Sequence, residues 1–222
     1  MYSPTMADSQ LLKKDLFGEI WIFAEGDELR IVRDSSTANG WVRWLARRLL
    51  RREARVLEAL GDADGVPHLI DVEHDRLTRS YLPGMPMHHA KPHDPDYFIA
   101  AARLLRKLHQ LGMVHNDLAK EPNVLVLDDG SPAFMDFQLA WFAPQRGRLF
   151  RILAYEDLRH LLKHKRSYCP LHLTRRELSI LDNPSLLSRT FMSSVKPLYL
   201  FVTRRLLGWA ERDGAEERGG QS

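Results

Sequence analysis

Three residues in the middle of the chain, Asp117, Asn123 and Asp136, carry oxygen atoms at a spacing that could serve phosphate chemistry. Asn123 opens the apolar run "NVLVL", Asp136 lies in "PAFMDF", and "DDGS" between the runs is a turn that folds them into an antiparallel hairpin. If Val124 pairs with Met135, Asn123 lies opposite Asp136, and directly opposed residues hold their Cβ atoms about 5 Å apart on one face. An amide oxygen and a carboxylate then converge where a hard cation can sit. Mg2+ suits such a place, because it takes oxygen ligands and is usually completed by waters and substrate phosphates. Asp117 lies just upstream, where it could orient an attacking hydroxyl and accept its proton. Lys120, in the same loop, could neutralise a transferring phosphoryl group.

The elements that must position these residues can be read on both sides. "EIWIF" (19–23) and "ELRIV" (28–32) are β-rich runs around a glycine-bearing loop and predict a hairpin. A basic segment from Asn39 to Leu60 stops at Gly61, as a helix does with glycine just past its end. Residues 68–82 predict two short strands around a polar turn. The stretch 81–96 is rich in proline and glycine and is the best internal boundary, with a hinge at 81–84. Asp94 and Pro95 can start the next helix, whose Phe98, Ala101, Leu105 and Leu108 recur at helical spacing before Gly112. "YEDLRHLLKH" and "KPLYLFVTRRLLGWAER" predict further helices, and residues 211–222 a flexible polar tail.

With these elements in order, the sequence resembles the protein-kinase-like superfamily over roughly residues 13–142. His115, Asn116 and Asp117 stand where that family has H-R-D, Asn123 where it has its metal-binding Asn, and Asp136, Phe137 and Gln138 where it has D-F-G. The resemblance implies that Asp117 is the catalytic base, with Lys120 beside it, and that Asn123 and Asp136 hold Mg2+. It also implies ATP as cofactor, with Arg33 in the place of the phosphate-gripping lysine, Glu53 as that residue's helix partner, and Gly18 as the remnant of a glycine-rich lid. A carboxylate such as Glu53 on an inward apolar stripe needs a cation, which Arg33 could be. The fold implied is α+β and two-lobed within one domain. A small antiparallel-sheet lobe with one helix (13–80) is joined by the hinge at 81–84 to a reduced, mainly helical lobe (85–210).

The departures narrow the resemblance. Five residues separate Asp117 from Asn123 where the family pattern has four, so the loop must bulge; Gln138 replaces glycine, and "APQ" at Ala143 is too close to Asp136 to close an activation loop. The short form looks most like the RIO kinases and the bacterial lipopolysaccharide core (Kdo and heptose) kinases. These imply a hydroxyl acceptor, either protein Ser/Thr or a lipopolysaccharide sugar. The eroded lid, Arg33 and Gln138 also fit a catalytically silent module that binds nucleotide or a partner.

Composition sets outer bounds. With 222 residues, 44% hydrophobic and 27% charged, the chain can bury a full core and is not a disordered polymer. Its single cysteine, Cys169, cannot form an internal disulfide, and no apolar run approaches the roughly 18 residues of a spanning helix, so a cytoplasmic location is expected. Leu198, Val202, Leu206 and Trp209 share one helical face, which is expected to pack on the domain, with peripheral membrane contact as the alternative. Arginines cluster in "WVRWLARRLLRREAR" (41–55); a solvated face is the plain reading, nucleic-acid binding through this helix is a weaker one, and no specific nucleic acid is expected. His88, His89 and His93, and likewise His160, His164, Cys169 and His172, lack a zinc-ligand spacing and are not expected to hold metal.

Overall fold

A computed structural model describes residues 9–26 and 28–183 of the chain. The chain divides into two units, Met1–Leu181 and Asp182–Ser222, and residues 81–84 fall inside the first. The helix expected around Leu198–Trp209 and the polar tail lie outside the described residues.

The fold is α+β. Five strands, β1 (Ser9–Asp15), β2 (Gly18–Glu25), β3 (Glu28–Asp34), β4 (Leu69–Val72) and β5 (Arg76–Ser80), form one antiparallel sheet in the order β1-β2-β3-β5-β4. The expected hairpins are β2–β3 and β4–β5; β1, which pattern reading passed over, adds the edge strand. Gly18 begins β2 at φ +123°, and a Cβ there would sit 2.0 Å from the Asp34 carbonyl oxygen. Close backbone approach therefore explains why this position is glycine, independently of any role over a nucleotide.

Helix α1 (Arg43–Leu60) starts four residues later than Asn39 and ends at Gly61, φ 53°, as expected. Its buried residues are Ala46, Leu50, Glu53, Ala54, Val56, Leu57 and Leu60. Cross-strand partners share a face, so the pairs Ile31–Arg79 and Arg33–Leu77 put Ile31, Arg33, Leu77 and Arg79 on one side of the sheet.

After residues 81–83 the chain does not turn directly helical. β6 (Gly84–Pro86) pairs with β8 (Val124–Leu127), which pairs with β9 (Pro132–Phe134), giving a second, three-stranded antiparallel sheet; the helical turn α2 (Met87–Ala90) follows β6. Helix α3 (Pro95–Gln110) has Pro95 in its first turn, Asp94 accepting from the Asp96 N–H at 2.9 Å, and Gly112 beyond its end at φ 82°. β7 (Met113–Val114) and β10 (Trp141–Phe142) make a short ladder, and α4 (Arg148–Tyr168) and α5 (Arg175–Asp182) complete the described residues. One apolar cluster joins the elements, with Leu50 and Leu57 of α1, Leu77 of β5, Leu105 and Leu108 of α3, Phe134, Phe137 and Leu161 all buried. Each such side chain contributes about 1.5–3 kcal/mol by leaving water, so this shared core holds α1 against the segment after β9.

Candidate functional site

The β8–β9 hairpin corrects the expected register by one residue. Val124 pairs with Phe134, not with Met135, and Asn123 stands opposite Met135, whose N–H donates to the Asn123 carbonyl at 3.0 Å. The cause is the turn: Leu127 meets Ser131 across Asp128, Asp129 and a left-handed Gly130, a loop one residue shorter than "DDGS" suggests. Asp136 is therefore not a strand residue facing Asn123. It leaves the ladder in the left-handed conformation, φ 63° and ψ 69°, and a single helical turn (Phe137–Leu139) follows. Asn116 is left-handed too, at φ 62°. Aspartate and asparagine bear this conformation best among non-glycine residues, and such outliers gather at functional sites.

The Asp117 loop closes on itself. Asn123 Nδ2 donates to the Asp117 carbonyl at 3.0 Å and to its Oδ2 at 2.9 Å, while Lys120 Nζ lies 2.8 Å from the same Oδ2. The extra residue in the loop is absorbed by a short turn, Glu121–Asn123, with the Lys120 N–H on the Asp117 carbonyl. Asp117 and Asn123 are buried, whereas the Lys120 side chain is largely exposed.

Asp136 belongs to a second set of charges. Arg33 reaches both carboxylates, with Nη2 3.7 Å from Asp136 Oδ1 and Nε 3.4 Å from Glu53 Oε2. Arg79 adds a partner that pattern reading missed, its Nε 3.5 Å from Glu53 Oε1. None of these contacts has hydrogen-bond geometry: Glu53 Oε1 and Oε2, Arg33 Nε, Arg79 Nε and Asp136 Oδ1 are all buried without a hydrogen-bond partner. Burial alone pushes the Asp136 carboxyl up. Arg33, a hydrogen bond from Gln138 and the charges of Lys120 and Arg79 outweigh it and hold the group below its ordinary value. Lys120 thus acts electrostatically on Asp136 as well as bonding Asp117, and it links the two sets.

What holds the Asp117 loop is α4. Asp157, 1% exposed, accepts from the His115 N–H at 2.7 Å and the Asn116 N–H at 2.9 Å. Two turns along, His164 Nε2 meets the Leu118 carbonyl at 2.7 Å, and Tyr168 donates its hydroxyl to Glu121 at 2.7 Å. Residues 157, 164 and 168 form one stripe of the helix, so a rigid element positions three points of the loop. The signal for Asp157 was a carboxylate on the inward stripe that also holds Phe150 and Leu161.

His115 braces rather than titrates. Burial pushes its imidazole below the ordinary value against the pull of Asp157, Asp117 and Asp136, so it stays neutral at pH 7 and donates Nε2–H to the Met135 carbonyl at 3.0 Å. The ring also packs on Phe137, centroids 4.7 Å apart. From the other side, Arg52 of α1 donates to the carbonyls of Ala140 at 2.5 Å and Leu139 at 3.1 Å, tying the helix of Glu53 to the segment after Asp136.

The histidines have other occupations. His93 Nδ1 lies 2.9 Å from the Tyr168 carbonyl, and His88 and His89 pack ring on ring. Among the described residues there is no group of three or more His, Cys, Asp and Glu side chains able to hold a metal ion, and no helix long and apolar enough to cross a membrane. A magnesium ion completed by phosphates does not need such a group, since one or two protein oxygens suffice. No protein-family model matches the chain, and no curated protein shows a significant match to it.

Proposed function

We propose that the chain is a phosphotransferase that uses ATP and Mg2+ to phosphorylate a hydroxyl, on a protein-kinase-like plan of the compact RIO or lipopolysaccharide-kinase kind. The observation that carries this reading is the meeting of two charge sets: Asp117 held by Asn123 and Lys120, and Asp136 held by Arg33, which also pairs with Glu53. The donor set fits magnesium. Asp136 Oδ1 is a buried carboxylate oxygen with no hydrogen bond, and Asn123 uses its amide nitrogen on Asp117, leaving its oxygen as the ligating end. Asn123 and Asp136 would hold Mg2+, whose charge would neutralise the phosphates of a bound nucleotide.

The chain's own residues supply the rest. Asp117 orients the acceptor hydroxyl and takes its proton, in a loop that α4 keeps rigid. Lys120, 2.8 Å from Asp117, would neutralise a transferring phosphoryl group. Arg33, 3.7 Å from Asp136, holds that carboxylate and would supply a cation to the phosphates of a bound nucleotide. The acceptor class is protein Ser/Thr or a lipopolysaccharide core sugar.

A second reading, a silent nucleotide- or partner-binding module, is favoured by Arg33 itself, since its guanidinium already lies between two carboxylates. Isotope transfer from γ-labelled ATP to separated protein and lipopolysaccharide fractions distinguishes the two. Transfer abolished by Asp117→Asn supports the enzyme, and nucleotide binding without transfer supports the silent module.

A further inference from the structure

The six arginines of α1 divide by what they touch. Arg43 donates to the Ala38 carbonyl, Arg47 pairs with Asp75, and Arg52 holds the Leu139 and Ala140 carbonyls. Arg48, Arg51 and Arg55 are exposed and make no hydrogen bond or ion pair among the described residues. Together with Arg52 they line a cavity of about 870 Å³, which Trp44 of α1 and Trp141 of β10 also border. Trp44 is 65% exposed. Positions 44, 48, 51, 52 and 55 recur every three or four residues, so they form one face of the helix, opposite the stripe of Leu50 and Leu57.

This face is charged against its own interest. Arg48 and Arg52, and Arg51 and Arg55, are like charges at i,i+4, which repel. Of the helix's two carboxylates, Glu53 is buried against Arg33 and Arg79, and Glu58 does not line this cavity. Arg52 is taken up by carbonyls and Glu58 borders a neighbouring groove with Arg51 and Arg55, but no carboxylate lines this cavity, so its positive charge is open to an external anion.

The two indoles say what kind. A flat bilayer would meet an exposed helix face but cannot fill a concave cavity of this volume. An acidic peptide would satisfy the charges, but would match the indole faces only where an aromatic residue happened to fall beside an acidic one. A strand of unpaired nucleotides supplies both partners, phosphates for arginine and planar bases for tryptophan, without requiring base-edge readout. We propose that this cavity binds single-stranded nucleic acid, with phosphates on Arg48, Arg51 and Arg55 and a base stacked on Trp44 or Trp141. The cavity borders the Asp117 loop through Asn116, but none of the residues assigned to the nucleotides belongs to the Asp117 or Asp136 charge sets, and the proposal does not depend on the phosphotransferase reading.

The test uses the full chain and labelled twelve-nucleotide oligo-dT and oligo-U in fluorescence anisotropy across a salt series. Three phosphate contacts predict a slope of log K against log[salt] of about −2, shallower by about 0.7 for each Arg→Gln change at 48, 51 or 55. Trp44→Ala should weaken binding roughly 5- to 150-fold without changing the slope, and Trp44→Phe should restore most of it. Because these side chains are exposed and the three arginines unpaired, the Trp44 variants should melt as the parent does and the Arg→Gln variants at or slightly above it, as the i,i+4 repulsion is relieved. Several results would overturn the proposal: no binding of either oligomer, binding indifferent to the triple Arg→Gln variant, equal affinity for a base-free polyanion with Trp44 irrelevant, or preference for anionic phosphatidylglycerol vesicles.

Discussion

Glu53→Gln removes the one carboxylate that Arg33 and Arg79 share, and its effect can be worked from the geometry. The two guanidinium nitrogens lie 3.4 and 3.5 Å from its oxygens, and at an effective dielectric near 20 each attraction is about 5 kcal/mol. Desolvation of the charges offsets much of that sum. The variant still keeps the desolvation, and it leaves two neighbouring cations with Asp136 as the remaining counter-charge of the cluster. Removing one partner of a buried ion pair costs about 3–5 kcal/mol. For a chain of this size the melting temperature should fall by about 6–20 °C. Adding Arg79→Met to Glu53→Gln restores neutrality and should recover part of the loss. Urea unfolding of the parent, both variants and a surface control, Glu58→Gln, measures all of this. A loss below about 1 kcal/mol, or one the control matches, would refute the claim that the cluster acts as a unit.

Other outcomes follow from single contacts. Asp157→Ala strips two backbone N–H groups of their acceptor and should cost about 2–5 kcal/mol in denaturant unfolding while loosening the loop of Asp117. Gly18→Ala should lose more than about 2 kcal/mol, because a Cβ would lie 2.0 Å from the Asp34 carbonyl oxygen at a φ of +123° that alanine avoids. His115 and His160 are both held below their ordinary values by burial, so below about pH 6.5 the unfolded chain binds more protons than the folded one and stability falls with pH. His115→Phe removes one of the two, and the melting temperature should then decline less steeply from pH 6.5 to 5; identical slopes would count against a buried neutral His115.

Much of the fold was legible because it rests on local rules. β-rich runs around a glycine-bearing loop marked β2 and β3, glycine marked the ends of α1 and α3, and Asp94 with Pro95 marked the start of α3. The site was legible in content and not in register. Asn123 and Asp136 were picked out by residue type, but pairing depends on the turn, and a three-residue loop with Gly130 left-handed moves every partner by one. Arg79 and Asp157 were missed because their importance comes from partners 26 and 42 residues away in sequence, Glu53 and His115. A buried charge announces that it needs a partner and does not say which. β1 escaped because its side chains are mostly exposed, which leaves little apolar alternation to read.

Mg2+-dependent ATP turnover of the purified chain in the presence of the fractionated acceptors, alongside Asp117→Asn and Asp136→Ala, distinguishes a phosphotransferase from a silent module. The account predicts turnover that is lost in Asp117→Asn with nucleotide binding retained, and lost in Asp136→Ala together with the Mg2+-dependence of binding. Turnover that survives either change, or a parent that neither binds nor turns over ATP, would contradict it.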